Sequence, residues 1–255
     1  MPPGQYARPP ITEAVIELRF DPAMSPGALA KFLRDVQGQY PTAEASYEVT
    51  VELKVPASGG EPIATPKKKL AGYKITGRDD TDLILLAADR LATVRLAPYC
   101  GWEEFLETTK NNYALLKKRS GYRKIVRVAT RYVNRIDIPI CESDSVGTSK
   151  SINTTEYLLL EPQIPNIIPN VSSFTSQFVG SVPEIDGKVL VNAAIVSSPL
   201  IDHVSLLLDI DLFKDQNLPQ KDNEMWDLLA AFRNQKNILF EAFVTDKARE
   251  LFDRD

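Results

Sequence analysis

The sequence lacks any long hydrophobic run. No stretch comes near the roughly 18 consecutive apolar residues that a helix needs to cross the hydrocarbon core of a bilayer. The opening MPPGQYARPP also lacks the apolar segment of a secretory signal peptide. We therefore expect no membrane partner and a cytoplasmic location.

Cysteine and histidine are scarce. The two cysteines, Cys100 and Cys141, are too few for a disulfide framework, and nothing near them has the spacing of zinc ligands. We expect both to be reduced thiols. The single histidine, His203, must supply any imidazole that the protein uses, so chemistry based on a catalytic triad depends on this one residue.

The familiar nucleotide and hydrolase motifs are also missing. The chain has no phosphate-binding loop, no dinucleotide fingerprint and no nucleophile elbow. Its formal net charge of −4 at pH 7 argues against a whole surface built for a phosphate backbone. Nucleic acid is therefore not the expected partner, although the total charge does not exclude a local basic patch.

Regular hydrophobic patterns fill the first half of the chain. Residues 14–20 alternate apolar and polar side chains and predict a strand, and SPGALAKFLRDVQG predicts a helix with Ser25 as N-cap. Strands are predicted at SYEVTVELKV and LAGYKITG, and DLILLAA with RLATVRL predicts a hairpin. The stretch GWEEFLETTKNNYALLKKRSG then predicts a second amphipathic helix.

The second half repeats this plan. A strand over residues 124–138 precedes a short helix near NTTEYLLLE, strands near SSFTSQFVGSV, GKVLVNAAIV and HVSLLLDIDLF, and a long helix from Glu224 to about Phe243. DKARELF adds a terminal helical turn, and CESDSVGTSKS and EPQIPNIIPN are the predicted loops.

These patterns predict an α+β fold made of two similar units, residues 1–122 and 123–255, packed as one compact body. Each unit has the order strand, helix, three or four antiparallel strands, helix, and the helices cover one face of the sheet. The duplicated saddle of the TATA-binding fold and the helix-grip sheet are two architectures of this kind. Neither analogy carries a function.

Three stretches carry a family resemblance: PPITEAVIELRF near the start, RYVNRIDIP in the middle and FEAFVTDKARELF near the end. Together they resemble a sporadically distributed prokaryotic family of uncharacterised proteins, marked by N-terminal Pro-Pro, Glu-Ala-Val and Arg-Phe elements and a central RY-x-NRI element. The resemblance implies no catalytic or binding residue. The patchy distribution of the family implies an accessory function, such as phage defence or a toxin–antitoxin module.

The strand over residues 124–138 carries the strongest local charge bias. Its even-numbered positions are mostly apolar, whereas its odd-numbered positions include Arg127, Arg131 and Arg135. With a rise of about 3.3 Å per residue, these arginines recur roughly every 13 Å on one side. Residues 110–135 include nine basic residues and no acidic one. Such a surface fits a phosphate or another anionic partner.

A simpler interpretation is a ladder of salt bridges with the strand over residues 203–213. The apolar positions of that strand face the core, so Asp209 and Asp211 point to the opposite side. If the two strands are adjacent, Arg131 and Arg135 face Asp209 and Asp211. Each exposed pair then contributes only tenths of a kcal/mol.

A sharper alternative makes Asp209 and Asp211, with Asp137, a magnesium or manganese site beside phosphate-binding arginines. A D-x-D pair on a strand has low specificity for metal. His203 lies on the same face and is a further candidate ligand-binding residue, although a lone histidine at a strand end is more often a surface residue. In the first strand, Glu13 and Glu17 are predicted to pair with Arg19 or Arg95.

Two hypotheses for function follow. The first is a non-enzymatic cytoplasmic binding or accessory protein without a cofactor, which engages a protein partner or an anionic ligand through Arg127, Arg131, Arg135 and His203. The alternative is an enzyme that depends on Mg²⁺ or Mn²⁺ and acts on a nucleotide or nucleic acid, with Asp209 and Asp211 as metal ligands.

Overall fold

The computed structural model describes residues 6–54, 63–140, 145–146, 149–150, 153–160 and 173–253. Cys141 and most of the two predicted loops lie outside these residues. The short helix predicted near NTTEYLLLE is a single 3₁₀ turn at Thr154–Glu156, which Asn153 caps through its side chain.

The chain has the predicted α+β class, with nine strands in one antiparallel sheet and four α-helices in its described part. In chain order the elements are β1 (Ile11–Asp21), α1 (Pro26–Val36), β2 (Thr42–Lys54), β3 (Ile63–Thr76), β4 (Asp82–Ala87), β5 (Arg90–Leu96), α2 (Trp102–Ser120), β6 (Lys124–Pro139), β7 (Ser145–Val146), β8 (Ser149–Lys150), β9 (Thr175–Val182), β10 (Gly187–Val196), β11 (His203–Lys214), α3 (Asp222–Phe243) and α4 (Asp246–Asp253). The short strands β7 and β8 pair only with each other. No helix among the described residues is both long and apolar enough to span a membrane.

Strands β1 and β6 lie side by side near the middle of the large sheet. The full order is β2-β3-β4-β5-β1-β6-β11-β10-β9, with antiparallel pairing throughout. Strands β2 to β5 form a meander that returns to pair with β1. Strands β9 to β11 form a second meander that returns to pair with β6.

The alternating pattern of β1 explains which side of the sheet is buried. Between Ala14 and Phe20 its even-numbered residues are 5% exposed or less, whereas the odd-numbered residues between them are only half-buried. The fully buried Tyr132 and Ile136 on β6 continue the same apolar face. The buried side chains of β1 are Ala14, Ile16, Leu18 and Phe20.

Aromatic contacts join the helices to this apolar face. Phe20 of β1 stacks on Tyr113 of α2, and Tyr113 meets Trp226 of α3 edge-on. The predicted N-cap of α1 is confirmed, because the Ser25 hydroxyl accepts a hydrogen bond from the Ala28 amide at 3.3 Å.

Lys236 of α3 is a buried cation within this core. It is 8% exposed, and its Nζ lies 4.3 Å from the centre of the Tyr132 ring. Burial, helped by the nearby Arg233, lowers the pKa of Lys236 to about 8. Because the unfolded chain binds this proton more tightly, the charged amine costs stability at pH 7, and that cost disappears as the pH rises from about 8 towards 10.4.

We therefore expect Lys236→Met to stabilise the protein by about 1–2 kcal/mol at pH 7, because it keeps the alkyl chain and removes a desolvated charge. The gain shrinks above pH 8, since the wild-type amine is then neutral. Urea unfolding at pH 7 and pH 10 measures both effects, and Lys31→Met on the exposed side of α1 is the control. A loss of stability at pH 7 would show that the contact with Tyr132 outweighs the burial cost.

Candidate functional site

The expected adjacency of the two charged strands is confirmed. Strands β6 and β11 pair antiparallel along the whole of β11 and residues 128–139 of β6, and Arg131 lies directly opposite Asp211. The side chains of both residues lie on the sheet face opposite the apolar core. The charged pattern of RYVNRIDIPI thus belongs to the second face of the sheet, as predicted.

Arg131 does not bind the residue directly opposite. Its guanidinium reaches along the neighbouring strand and binds both carboxylate oxygens of Asp209, with distances of 2.8 and 2.9 Å. Asn192 of β10 donates a third hydrogen bond to Asp209 at 2.9 Å, and accepts one from Gln177 of β9 at 2.6 Å. Asp209 is only 3% exposed, so this pairing is not the exposed contact that was expected.

Arg127 binds Asp211, which lies opposite Arg131, four positions further along β6. The intervening residue on its strand is Ala129, whose methyl group leaves room for the guanidinium to lie over the Phe213 ring at 4.7 Å. From there Arg127 donates to Asp211 at 3.2 Å. It also donates to Glu17 of β1, so one guanidinium links three strands.

The expected pairing of Arg135 with Asp209 or Asp211 is wrong. Arg135 binds Asp137 on its own strand, at 2.9 Å, and Ser205 of β11 donates to the same carboxylate. The reason is proximity. Residues two apart on a strand share a face, and both aspartates on β11 are already held by other arginines.

Three arginines stand in one row across the middle of the sheet. The register places Arg90 of β5 opposite Arg19 of β1, and Arg19 opposite Arg127 of β6. Like charges directly opposite each other on neighbouring strands repel. Glu17 contacts all three: Arg19 at 2.8 Å, Arg90 at 3.5 Å, and Arg127 through a close ion pair. Three guanidinium groups thus share the carboxylate of Glu17.

The neighbouring row of cross-strand residues, which contains Glu17, has small side chains on either side and makes the surface concave. Glu17 stands between Ala92 of β5 and Ala129 of β6. These methyl groups leave an open groove of about 500 Å³, which Gly72 and Ala87 extend towards the edge of the sheet. The charged residues that line this groove are Glu17, Arg19, Lys74, Arg90, Arg127, Arg131 and Asp211. We call this the arginine groove.

Its lining is unevenly charged. Five basic side chains face two carboxylates, Glu17 and Asp211. Burial raises the pKa of Asp211, and the nearby Asp209 and Glu17 act in the same direction, whereas Arg127 opposes them. One oxygen of Asp211 is buried and accepts no hydrogen bond from the described residues. The arginine groove therefore has a surplus of positive charge.

Two of the four predicted ligand-binding residues line the arginine groove, and two do not. Arg127 and Arg131 are in its wall, whereas Arg135 pairs further along β6. His203 begins β11 opposite Pro139, and its Nδ1 lies 2.7 Å from the Ile201 carbonyl oxygen. Asp211 lies eight positions after His203 on β11, a span of roughly 27 Å.

Sequence reasoning missed Arg90 and Lys74 entirely. It predicted the pair of Glu17 with Arg19, which is confirmed. Arg95 was expected near these residues, but it binds Asp82 and approaches Glu104 instead. The alternation of side chains along β5 places Arg90 on the same face as Ala92, and this pattern could have identified Arg90.

The predicted metal ligands are engaged by protein groups. Both oxygens of Asp209 accept from Arg131, and one oxygen of Asp211 accepts from Arg127. Within the described residues, no group of three or more histidine, cysteine, aspartate or glutamate side chains has the geometry to hold a metal ion. A cation that both aspartates coordinate competes with Arg131 for Asp209.

No protein-family model matches the chain, and no curated protein matches it in sequence. The resemblance carried by the N-terminal Pro-Pro, Glu-Ala-Val and Arg-Phe elements and the central RY-x-NRI element therefore stays a prediction.

The two aspartates should differ in their contribution to stability. We expect Asp209→Asn to cost about 2–3 kcal/mol, because it weakens a buried carboxylate with three hydrogen bonds. Asp211→Asn should cost about 1 kcal/mol or less, since burial already disfavours its charge. The raised pKa of Asp211 also means that lowering the pH relieves this penalty, so the cost of Asp211→Asn should grow as the pH falls from neutral towards 4.

Urea unfolding of wild type and both variants at neutral and mildly acidic pH measures these costs. Repeating the neutral series with millimolar Mg²⁺ or Mn²⁺ tests the metal hypothesis. We expect no change on adding metal. A metal-dependent stabilisation of wild type that both Asn variants lose would contradict the ion-pair network and favour the metal site.

Proposed function

We propose that the protein is a non-enzymatic cytoplasmic binding protein that holds an anionic ligand in the arginine groove. The ligand class is a small molecule that carries phosphate or carboxylate groups. The observation that supports this most strongly is the row of Arg90, Arg19 and Arg127, which shares the single carboxylate of Glu17.

The energetics of that row favour an anion. Three adjacent guanidinium groups repel one another, and the two carboxylates that contact them, Glu17 and Asp211, offset only part of that repulsion. The side chains of Arg19 and Arg90 are 42% and 43% exposed, so their outer N–H groups are accessible to a ligand. Guanidinium groups bind phosphate and carboxylate through paired hydrogen bonds. An anion bridging Arg19 and Arg90 thus relieves the repulsion.

The size and lining of the arginine groove agree with a small ligand. A volume of about 500 Å³ lies within the range of roughly 300–1,000 Å³ usual for small-molecule sites. The methyl groups of Ala92 and Ala129 give it an apolar floor, and Tyr73 stands at one side. An organic anion with an apolar or planar portion fits this combination.

Binding without catalysis is supported by the kinds of residues present. The residues that line the arginine groove are mainly cations and apolar side chains, a combination that suits binding of an organic anion. The alternative enzyme needs a divalent cation at Asp209 and Asp211, and the arginines bound to them make that arrangement less favourable. An accessory role in phage defence or a toxin–antitoxin module is the context we propose, and the identity of the adjacent genes tests it.

We also infer that the fold is an internal duplication with its helices on one face of the sheet. Reading outwards from the centre, β1, β5, β4 and β3 correspond to β6, β11, β10 and β9, and each meander returns to its own first strand. In this interpretation the arginine groove lies across the junction of the two repeats. Its two central strands, β1 and β6, are then equivalent elements.

Titration with pyrophosphate, followed by calorimetry, tests the proposed function. We expect saturable binding that weakens at least about tenfold in Arg19→Met and in Arg90→Met, because each variant removes a charge-assisted hydrogen bond. Arg34→Met on the exposed side of α1 is the matched control and should bind like wild type. Citrate in place of pyrophosphate distinguishes phosphate from carboxylate ligands.

Equal affinity in wild type, both groove variants and the control would contradict the proposal, as would the absence of any response to either anion. Duplex DNA is a further ligand to test. If DNA binds with a steep salt dependence and pyrophosphate does not bind, a nucleic-acid surface replaces the small-anion site.

A further inference from the structure

Strands β2 and β3 project beyond the rest of the sheet as a two-stranded ribbon. Residues 72–76 of β3 pair with β4, whereas the preceding part of β3 pairs only with β2. We call the paired segments 47–54 and 63–70 the β2–β3 ribbon. Their side chains are exposed wherever they are described. A two-stranded ribbon without a covered face is marginal in water.

One face of the β2–β3 ribbon is mostly apolar, and Lys68 of β3 lies on it opposite Val49, with its Nζ 3.8 Å from the centre of the Tyr47 ring. Tyr47, Val49, Val51 and Leu53 alternate along β2 and are 49–69% exposed, which is unusual for four neighbouring large apolar side chains. The opposite face of β2 carries Glu48, Thr50 and Glu52, and Glu52 pairs with Lys67 of β3. The polar face is therefore suited to water, and the apolar face is not.

The outer edge of β2 is also open. Strand β2 is the first strand of the nine-stranded sheet, and among the described strands it pairs with β3 alone. An open edge of 13 residues offers unpaired backbone groups to another strand. Exposed apolar side chains and an unpaired edge on the same strand both favour an added strand as the partner.

From these features we infer that two copies of this chain associate through antiparallel pairing of their β2 edges, with a twofold axis at Val49. In that register Tyr47 lies opposite Val51 of the second copy, which joins the two apolar faces. Glu48 lies opposite Thr50, and Ser46 lies opposite Glu52, so no carboxylate faces another. A symmetric edge pairing of this kind is self-complementary, as a closed dimer requires.

Neighbouring registers are less favourable. A shift that centres the pair on Glu48 sets the two Glu48 side chains opposite each other. Centring it on Thr50 sets Glu48 opposite Glu52. A register that slips by one residue places the apolar positions of one copy opposite the polar positions of the other, because successive side chains point to opposite faces of a strand. Of the registers compared, only the one centred on Val49 joins the apolar faces without setting carboxylates opposite each other.

Charge variants at Thr50 test the edge pairing, because this register sets Thr50 opposite Glu48 of the second copy. Thr50→Glu puts a carboxylate opposite Glu48 twice in each dimer, whereas Thr50→Lys puts an ammonium there. We expect the dimer dissociation constant to rise about tenfold in the first variant and to fall in the second. Sedimentation velocity over a concentration series measures both. Val49→Lys, which brings two like charges together at the axis, should leave only monomer.

Ile238→Lys, at an exposed apolar position of α3, is the control and should dimerise like wild type. Thermal melts of each variant confirm that it is folded. A wild-type protein that stays monomeric at all concentrations overturns the inference. Equal effects of Thr50→Glu and Thr50→Lys, or a dimer that survives Val49→Lys, also overturn it. The inference does not rest on the proposed function.

Discussion

The antiparallel pairing of β1 with β6 is the constraint on which the rest of the structure depends. These strands come from the two halves of the sequence, and their pairing turns two meanders into one sheet. The same register aligns their buried even-numbered residues as the centre of one core. It also places Arg19 opposite Arg127 on the other face, so core formation and charge crowding have a common origin.

Acidic residues offset the charge of the crowded arginines, but they do so unevenly across the sheet. Asp209 is nearly buried but has a full set of donors, so its charge is well compensated. Asp211 has an oxygen without a partner among the described groups, and burial raises its pKa. Glu17 must serve three arginines. The network is thus saturated towards β10 and β9 and short of negative charge towards β5, which is where the groove opens.

Most of the fold was accessible from the sequence, because alternation and helix caps are local properties. The pairing of β6 with β11 followed from two strands with complementary charged faces. The partner of each arginine did not follow, because a guanidinium can reach diagonally to more than one carboxylate. Its position depends on neighbouring side chains. For Arg127 these are Ala129, which leaves space, and Phe213, whose ring the guanidinium contacts. The groove needed the three-strand register of Arg90, Arg19 and Arg127, which no single segment contains.

The β2–β3 ribbon shows a different limit. Its alternation predicts a strand correctly, but a period of two says only that one face is apolar, not that this face is covered within the same chain. In the structure, Tyr47, Val49, Val51 and Leu53 are exposed. Amphipathic patterning therefore located the element and could not distinguish a core-facing strand from one whose apolar side is left for a partner.

Native-state hydrogen exchange tests the central claim, that β1 and β6 make the two halves a single cooperative body. The account predicts that the central amides of β1, β5, β6 and β11 share one opening free energy, equal to the global free energy of unfolding. The result that would contradict it is a split between the halves. If the amides of β5 or β11 exchange through an opening of much lower free energy while the other half stays protected, the halves are independent and their pairing is not the organising contact.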